Sequence, residues 1–240
     1  MLLCDWQKEK VTLISPKHKS KYSKTNVSQV YYNLINILKS NNIPFNYITK
    51  HSKNDLDIWL RDYSPIVYNN TKYFFNYTPH YGLYKESINY PKYVFKEQYN
   101  NSKHINIQFD TGNWVNNENA VISIKHHNPI HQNNIEKIFK STFPDIRFIY
   151  LNGEPEDTIG HSDGCVRFIN SKEIVLNDYT DSSIKELRDY GDYLYNYLSS
   201  NTNFKIHLIK TIPYQEYNSI EDPILSAEGY YLNFLHLKNH

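Results

Sequence analysis

Apolar residues recur along this chain in two alternating rhythms, every second position over short runs and every third or fourth over longer ones. Val11 to Ile14 reads as a strand. Asn26, with Gln29 three positions later, offers an N-cap and a capping-box-like start. Val27, Val30, Tyr31, Leu34, Ile35 and Leu38 then fall on one helical face. Ile43-Pro44 ends that helix, and Phe45 to Ile48 is a short strand. Ser64 to Tyr68 and Lys72 to Tyr77 are strand-like runs joined by Asn69-Asn70-Thr71, a hairpin signal. A Tyr- and Lys-rich stretch from Ile88 to Tyr99 has no clear period, and Ile105 to Phe109 is the next strand.

The order then repeats. Asn113 to Val115 and Ala120 to Ile124 form a second hairpin, Asn134 to Phe143 a helix, and Ile146 to Tyr150 a strand. Val166 to Ile169 and Glu173 to Leu176 form a third hairpin, Ser182 to Leu198 a helix, and Phe204 to Ile209 a strand. The unit is strand, strand, helix, strand at a spacing of roughly 45 residues, a period that signals a propeller or an array. The opening strand, helix and strand look like the tail of another unit, and Gly229 to Leu237 like the head of a further one. With no linker, low-complexity segment or charge block, residues 1–240 are read as a single domain.

Composition narrows the function classes. The 26 Lys and Arg residues against 25 Asp and Glu leave a net charge of +1, so no global field favours nucleic acid or an anionic membrane. Cys4 and Cys165 are the only thiols, which excludes a disulfide framework and a zinc-type cysteine spacing and makes a reducing compartment the default. The first ten residues carry too short an apolar run for a signal peptide, and no stretch is apolar enough to span a bilayer. A cytoplasmic protein without membrane or nucleic-acid partners is expected.

Polar clusters follow the last strand of successive units: WLRDYSP at Trp59 to Pro65, DTGNW at Asp110 to Trp114, and EDTIGHSDG at Glu156 to Gly164. Each occupies the same phase of the repeat. Units arranged round an axis would bring equivalent points to one end of it, so Asp62, Asp110, His161 and Asp163 are expected to converge. Three carboxylates and a histidine in one pocket favour a cationic ligand. Arg61 offers a counter-ion for one of them, and Trp59 an aromatic wall for a planar or cationic group. His161 and Asp163, two apart in an extended segment, face the same side. The other histidines show no ligand spacing, and His126-His127 reads as a solvated turn. Tyr190, Tyr193, Tyr195 and Tyr197 belong to a helix whose apolar face reads as core. Arg167 is expected to meet a carboxylate or solvent.

WLRDYSP resembles the W-x-R-D-x-G-P signature of the agmatine deiminase and Porphyromonas-type peptidylarginine deiminase family. DTGN resembles its D/E-G-G-N, GHSDGCVRF its G-H-x-D-x-x-x-R-F, and AEGYYLNF its S-Y-x-N-F segment. The matches occur in family order from Trp59 to Phe234. The resemblance implies an α/β pentein fold, a five-bladed propeller of ββαβ units. It implies hydrolysis of a small guanidino substrate, agmatine or an arginine side chain, with no cofactor and no metal. It assigns Asp62 and Asp163 to the carboxylates that clamp the guanidinium, His161 to the general acid/base and Asp110 to its orientation. Asn233 matches an asparagine near the substrate, and Trp59, Arg61 and Asn113 complete the substrate-binding set. A cysteine thiolate would attack the guanidinium carbon, ammonia would leave with a proton from the histidine, and water would release the ureido product.

The chain departs from the pattern in three places. Ser64 and Thr111 stand where the family has glycine. The family's nucleophilic cysteine lies in a G-G-x-x-x-C segment beyond the N-F strand, and the chain reaches His240 shortly after that strand. Cys165 falls elsewhere in its motif and reads as a small packing residue, and Cys4 has no motif around it. Three readings remain open: a truncated deiminase, a chain completed by a second polypeptide or a homo-oligomeric partner, and a guanidine-binding pseudoenzyme. An open sheet edge would invite association. A metal-dependent hydrolase built on His161, Asp163 and Asp110 is a further alternative.

Overall fold

The structure, a computed structural model, describes residues 1–14, 27–48, 59–78, 87–155, 157, 159–211, 232, 234 and 236–238. Its elements fall into two compact units, Met1–Gly112 with His236–His240, and Asn113–Leu235.

In the first unit, β1 (Val11–Ile14) and β2 (Phe45–Ile48) pair in parallel, with α1 (Val27–Ser40) between them in sequence. The apolar face of α1 supplies Leu38, which joins Val11, Leu13 and Leu237 in a buried cluster. The Asn26 cap lies outside the described residues. Strands β3 (Ile66–Tyr68) and β4 (Thr71–Asn76) form the expected hairpin, shorter at its start than the apolar run. Its two-residue tip places Asn69 and Asn70 at positive φ, 47° and 61°, a conformation asparagine tolerates better than most residues. The stretch without a clear period contains two five-residue helices, α2 (Tyr90–Val94) and α3 (Lys96–Asn100). They lead to β5 (Lys103–Gln108), parallel to β4. Tyr63, Phe74, Tyr77, Tyr90 and Phe95 pack as an aromatic cluster, with the Tyr63 and Tyr77 rings 5.1 Å apart.

The second unit holds two sheets built alike. In the first, β6 (Val115–Asn116) and β7 (Ala120–Ile124) are antiparallel, and β8 (Arg147–Leu151) returns parallel to β7 after α4 (Pro129–Thr142). In the second, β9 (Val166–Phe168) and β10 (Glu173–Asp178) are antiparallel, and β11 (Lys205–Lys210) returns parallel to β10 after α5 (Lys185–Asn201). The middle strands β7 and β10 are nearly continuous in apolar residues because both faces are covered. The Asn117 side chain donates to the Ser171 carbonyl at 2.9 Å, tying the β6–β7 and β9–β10 turns together.

Two helix boundaries differ from the sequence reading for local reasons. Helix α4 starts five residues before Asn134. Asn128 caps it by accepting from the Ile130 and His131 amides at 2.9 and 3.3 Å, and Pro129 takes the first position, where no N–H is needed. Helix α5 starts at Lys185, three residues after Ser182. The Ser182 hydroxyl accepts from the Ile184 amide and its carbonyl from Arg188, so it belongs to the entering turn. Along α5, Leu187, Tyr190, Leu194 and Leu198 are buried at helical spacing, whereas Tyr195 is exposed. Trp114 ring edges meet Phe139, Phe143 and Phe148 at centroid distances of 5.3, 5.4 and 5.7 Å.

Phe139 is fully buried at the centre of that group. Phe139→Ala leaves a cavity lined by rigid rings and is expected to cost about 3–5 kcal/mol. The check is urea unfolding, read as a lower midpoint at unchanged slope.

Candidate functional site

In the first unit, Trp59 is exposed and opens the short 3-10 turn Leu60–Tyr63. Asp62 is half-buried in that turn, and its amide donates to the Trp59 carbonyl at 3.0 Å. Tyr63 roots the turn in the aromatic cluster. One carboxylate that Arg61 meets is Asp5, at 3.3 Å, a residue of the N-terminal segment. Asp110, also half-buried, follows β5 and opens a second short turn, Thr111–Asn113. The two turns are joined: the Thr111 hydroxyl donates to the Arg61 carbonyl and, at 3.1 Å, is shared with the Ser64 carbonyl.

In the second unit, the polar segment after β8 bends sharply before reaching His161. The Asp157 carboxylate accepts from the Ile159 amide at 2.8 Å and the Gly160 amide at 3.0 Å, and Gly160 takes φ 69°, in the left-handed region. His161 then caps a third 3-10 turn, Ser162–Gly164, in which Ser162 and Asp163 are buried, Asp163 at 4% exposure. The Ser162 amide donates to Asn113 Oδ1 at 3.2 Å and its hydroxyl to the Ile122 carbonyl at 3.1 Å. The Asn113 side chain also accepts from the Ile124 amide at 2.7 Å and donates to the Ile124 carbonyl at 2.8 Å. His161 and Asp163 are thus brought into one turn, and Asn113 is placed behind it, engaged with backbone.

Sequence reasoning missed the support beneath that turn. Asn177 of β10 donates to the Gly164 carbonyl at 2.9 Å and to the Tyr179 hydroxyl at 3.1 Å, and Tyr179 donates to Glu154 at 2.7 Å. A buried asparagine in the middle of an apolar strand was the available signal. Cys165 closes the turn, its amide donating to the Ser162 carbonyl at 3.2 Å. Its side chain is buried beside the Tyr190 hydroxyl. Burial pushes the thiol up to about 12, and the carboxylates of Glu154, Asp163 and Asp157 push in the same direction. Arg167 is buried rather than solvated, its guanidinium lying over the Phe234 ring at 5.4 Å and donating to the Phe234 carbonyl. Asn233 lies outside the described residues. His126 stacks on His127 at 4.2 Å and meets the edge of His131 at 4.4 Å. Among the described residues no group of three or more His, Cys, Asp and Glu side chains is arranged to hold a metal ion, and no helix is long and apolar enough to cross a membrane.

The family model of Porphyromonas-type peptidyl-arginine deiminases matches residues 6–240. No curated protein matches the sequence. Among solved structures, the agmatine deiminase of C. jejuni with substrate bound superposes with a TM-score of 0.75 at 18% identity, covering 100% of this chain and 81% of that one. The agmatine deiminase of Enterococcus faecalis gives 0.73 at 15% identity over 98% and 80% of the two chains. DDAH from Pseudomonas aeruginosa, complexed with citrulline, gives 0.52 at 8% identity over 86% and 77%. The fold, small three-stranded sheets each closed by a helix and a parallel strand, is the one these proteins share.

Two outcomes test the local geometry. Gly160→Ala puts a Cβ on a left-handed residue and is expected to cost about 1–2 kcal/mol, measured by thermal or urea unfolding. Nothing crowds the new methyl, whose nearest neighbour is Ile124 Cγ2 at 3.9 Å, so conformational strain alone sets the cost. Cys165 is expected to resist iodoacetamide in the native protein at pH 8 and to react once the chain is unfolded. Its folded value of about 12 lies above the ordinary 9.0, so the thiol's contribution to stability is fully present below pH 9 and falls as pH rises toward 12. A Cys165→Ala variant should lose that alkaline slope, which urea midpoints measured from pH 8 to 11 would show.

Proposed function

The chain belongs to the Porphyromonas-type peptidyl-arginine deiminase family, and from that premise we propose that it binds a guanidino compound for deimination, with agmatine as the preferred substrate. The observation that carries this reading is Asp163: a carboxylate almost wholly buried in a turn that also presents His161. A buried carboxylate favours a cation, and a planar cation with forked donors matches it best through paired, charge-assisted hydrogen bonds. The family motifs add Asp62, Trp59 and Asn233 to the residues proposed to serve the ligand. His161, on the same turn as Asp163, transfers protons. Agmatine is put ahead of arginine and peptidyl-arginine because several solved relatives are agmatine deiminases.

Hydrolysis by this route needs a thiolate at the guanidinium carbon. Cys165 does not meet that requirement, since its buried thiol stays protonated far above neutral pH. Cys4 is buried as well, on the N-terminal segment. That observation favours a second reading in which residues 1–240 bind guanidines without turning them over.

One experiment separates the readings. The 240-residue chain is offered agmatine, arginine and an arginyl peptide, with ureido product measured colorimetrically and binding by calorimetry. Agmatine is expected to bind most tightly, and Asp163→Ala to weaken it by about 2–5 kcal/mol, the range for removing one partner of a buried charge pair. Ureido product lost in Asp163→Ala establishes the deiminase. Binding without product establishes the second reading, and absence of binding by all three compounds rejects both.

A further inference from the structure

Both ends of the Ser162–Gly164 turn are held by asparagines from strands remote in sequence. At its start, the Ser162 amide donates to Asn113 Oδ1 at 3.2 Å. At its end, the Gly164 carbonyl accepts from Asn177 Nδ2 at 2.9 Å. Asp163 is the one residue between these two points. Each asparagine is itself fixed. Asn113 clasps the amide and carbonyl of Ile124, the last residue of β7, and Asn177 lies in β10 with its amide also on the Tyr179 hydroxyl. Strands β7 and β10 are the middle strands of their sheets. The turn is therefore anchored to the central strand of each of the unit's two sheets.

A three-residue turn cannot satisfy its own backbone groups, and a side chain carried on it points wherever the turn points. A forked cation makes paired hydrogen bonds only with a carboxylate held close to the right plane and distance. Asn113 Oδ1 already accepts from two amides and its Nδ2 donates to a carbonyl, so its polar atoms are committed to backbone. We infer that Asn113 and Asn177 are positioning residues that fix the aim of Asp163 from both ends of its turn, acting through that carboxylate rather than by contact with the ligand. The inference rests on Asp163 being a guanidine carboxylate, and it moves Asn113 out of the ligand-contacting set.

The test is a double-mutant cycle on the full chain, with agmatine as probe. Binding is measured by calorimetry, or by NMR titration at millimolar ligand, for Asn113→Ala, Asn177→Ala, Asp163→Asn and the paired variants. Amide hydrogen exchange at Ser162 is followed in parallel. Each alanine variant is expected to weaken agmatine binding about 10- to 100-fold, by analogy with the partners that orient metal ligands. Those losses are expected to shrink to about twofold or less in the Asp163→Asn background, since nothing is left to aim. Ser162 exchange should rise in Asn113→Ala while α5 amides stay unchanged.

Unchanged affinity in the single variants overturns the inference, as does an equal loss in both backgrounds, which marks a general structural effect or direct ligand contact. If the native chain fails to bind agmatine, or Asp163→Asn binds it equally well, the functional reading of Asp163 is what falls. The brace is then judged by exchange alone: faster exchange confined to residues 161–165 upholds it, and unchanged Ser162 exchange overturns it.

Discussion

Tight turns that carry chemistry leave their own backbone groups unsatisfied, and this protein meets that constraint with polar side chains sent from neighbouring elements. Within the second unit, the amide of Ser162 and the carbonyl of Gly164 find partners on Asn113 and Asn177, and the Ser162 hydroxyl reaches the Ile122 carbonyl. Each of these bonds is worth only about 1 kcal/mol net, but leaving a buried group unmade costs the whole desolvation penalty. The arrangement is therefore close to all-or-none: either the turn sits where all its partners reach, or it is not formed. Asp163, almost wholly buried, is carried on that fixed backbone.

Much of this was legible in the sequence. The alternation of period-2 runs with helical faces gave the ββαβ order, since both periods follow directly from backbone geometry. The turns that follow Asp110 and His161 come after β5 and β8, as the polar clusters predicted. What stayed hidden depended on three-dimensional partners. The start of α4 turned on Asn128 and Pro129, a cap that lies upstream of any apolar periodicity. Asn177 was marked only by its polarity within an apolar run, and nothing in that run pointed to the Gly164 carbonyl as its partner. Asn113 reads in the sequence as part of a ligand motif, and only the bonds to Ile124 and Ser162 show its amide engaged with backbone. For Arg167, read as meeting a carboxylate or water, the structure shows burial over the Phe234 ring and a bond to the Phe234 carbonyl. A long cationic side chain carries no pattern that separates these fates.

Cysteine 165 shows how neighbourhood, more than proximity in sequence, decides chemistry. It stands two residues after Asp163 and four after His161, yet it points into the core beside Tyr190 and Leu-rich helix α5. Desolvation opposes the thiolate, and the nearby carboxylates of Glu154, Asp163 and Asp157 oppose it further. Those carboxylates make the neighbourhood hostile to an anionic sulfur.

The two departures from the family's glycine pattern lie on one hydrogen-bonded path. Thr111 donates to the carbonyls of Arg61 and Ser64, and the Ser64 hydroxyl donates back to the Leu60 carbonyl at 2.6 Å. Glycine at either position would leave a turn with more backbone freedom and no tie of its own. Threonine and serine remove that freedom and add donors that reach the carbonyls a 3-10 turn leaves open. The turn of Asp62 is thus fixed by hydroxyls, as the turn of Asp163 is fixed by amides. In both turns the carboxylate-bearing backbone is held by polar side chains from other positions, and the identity of those supporting residues follows from the backbone groups they must satisfy.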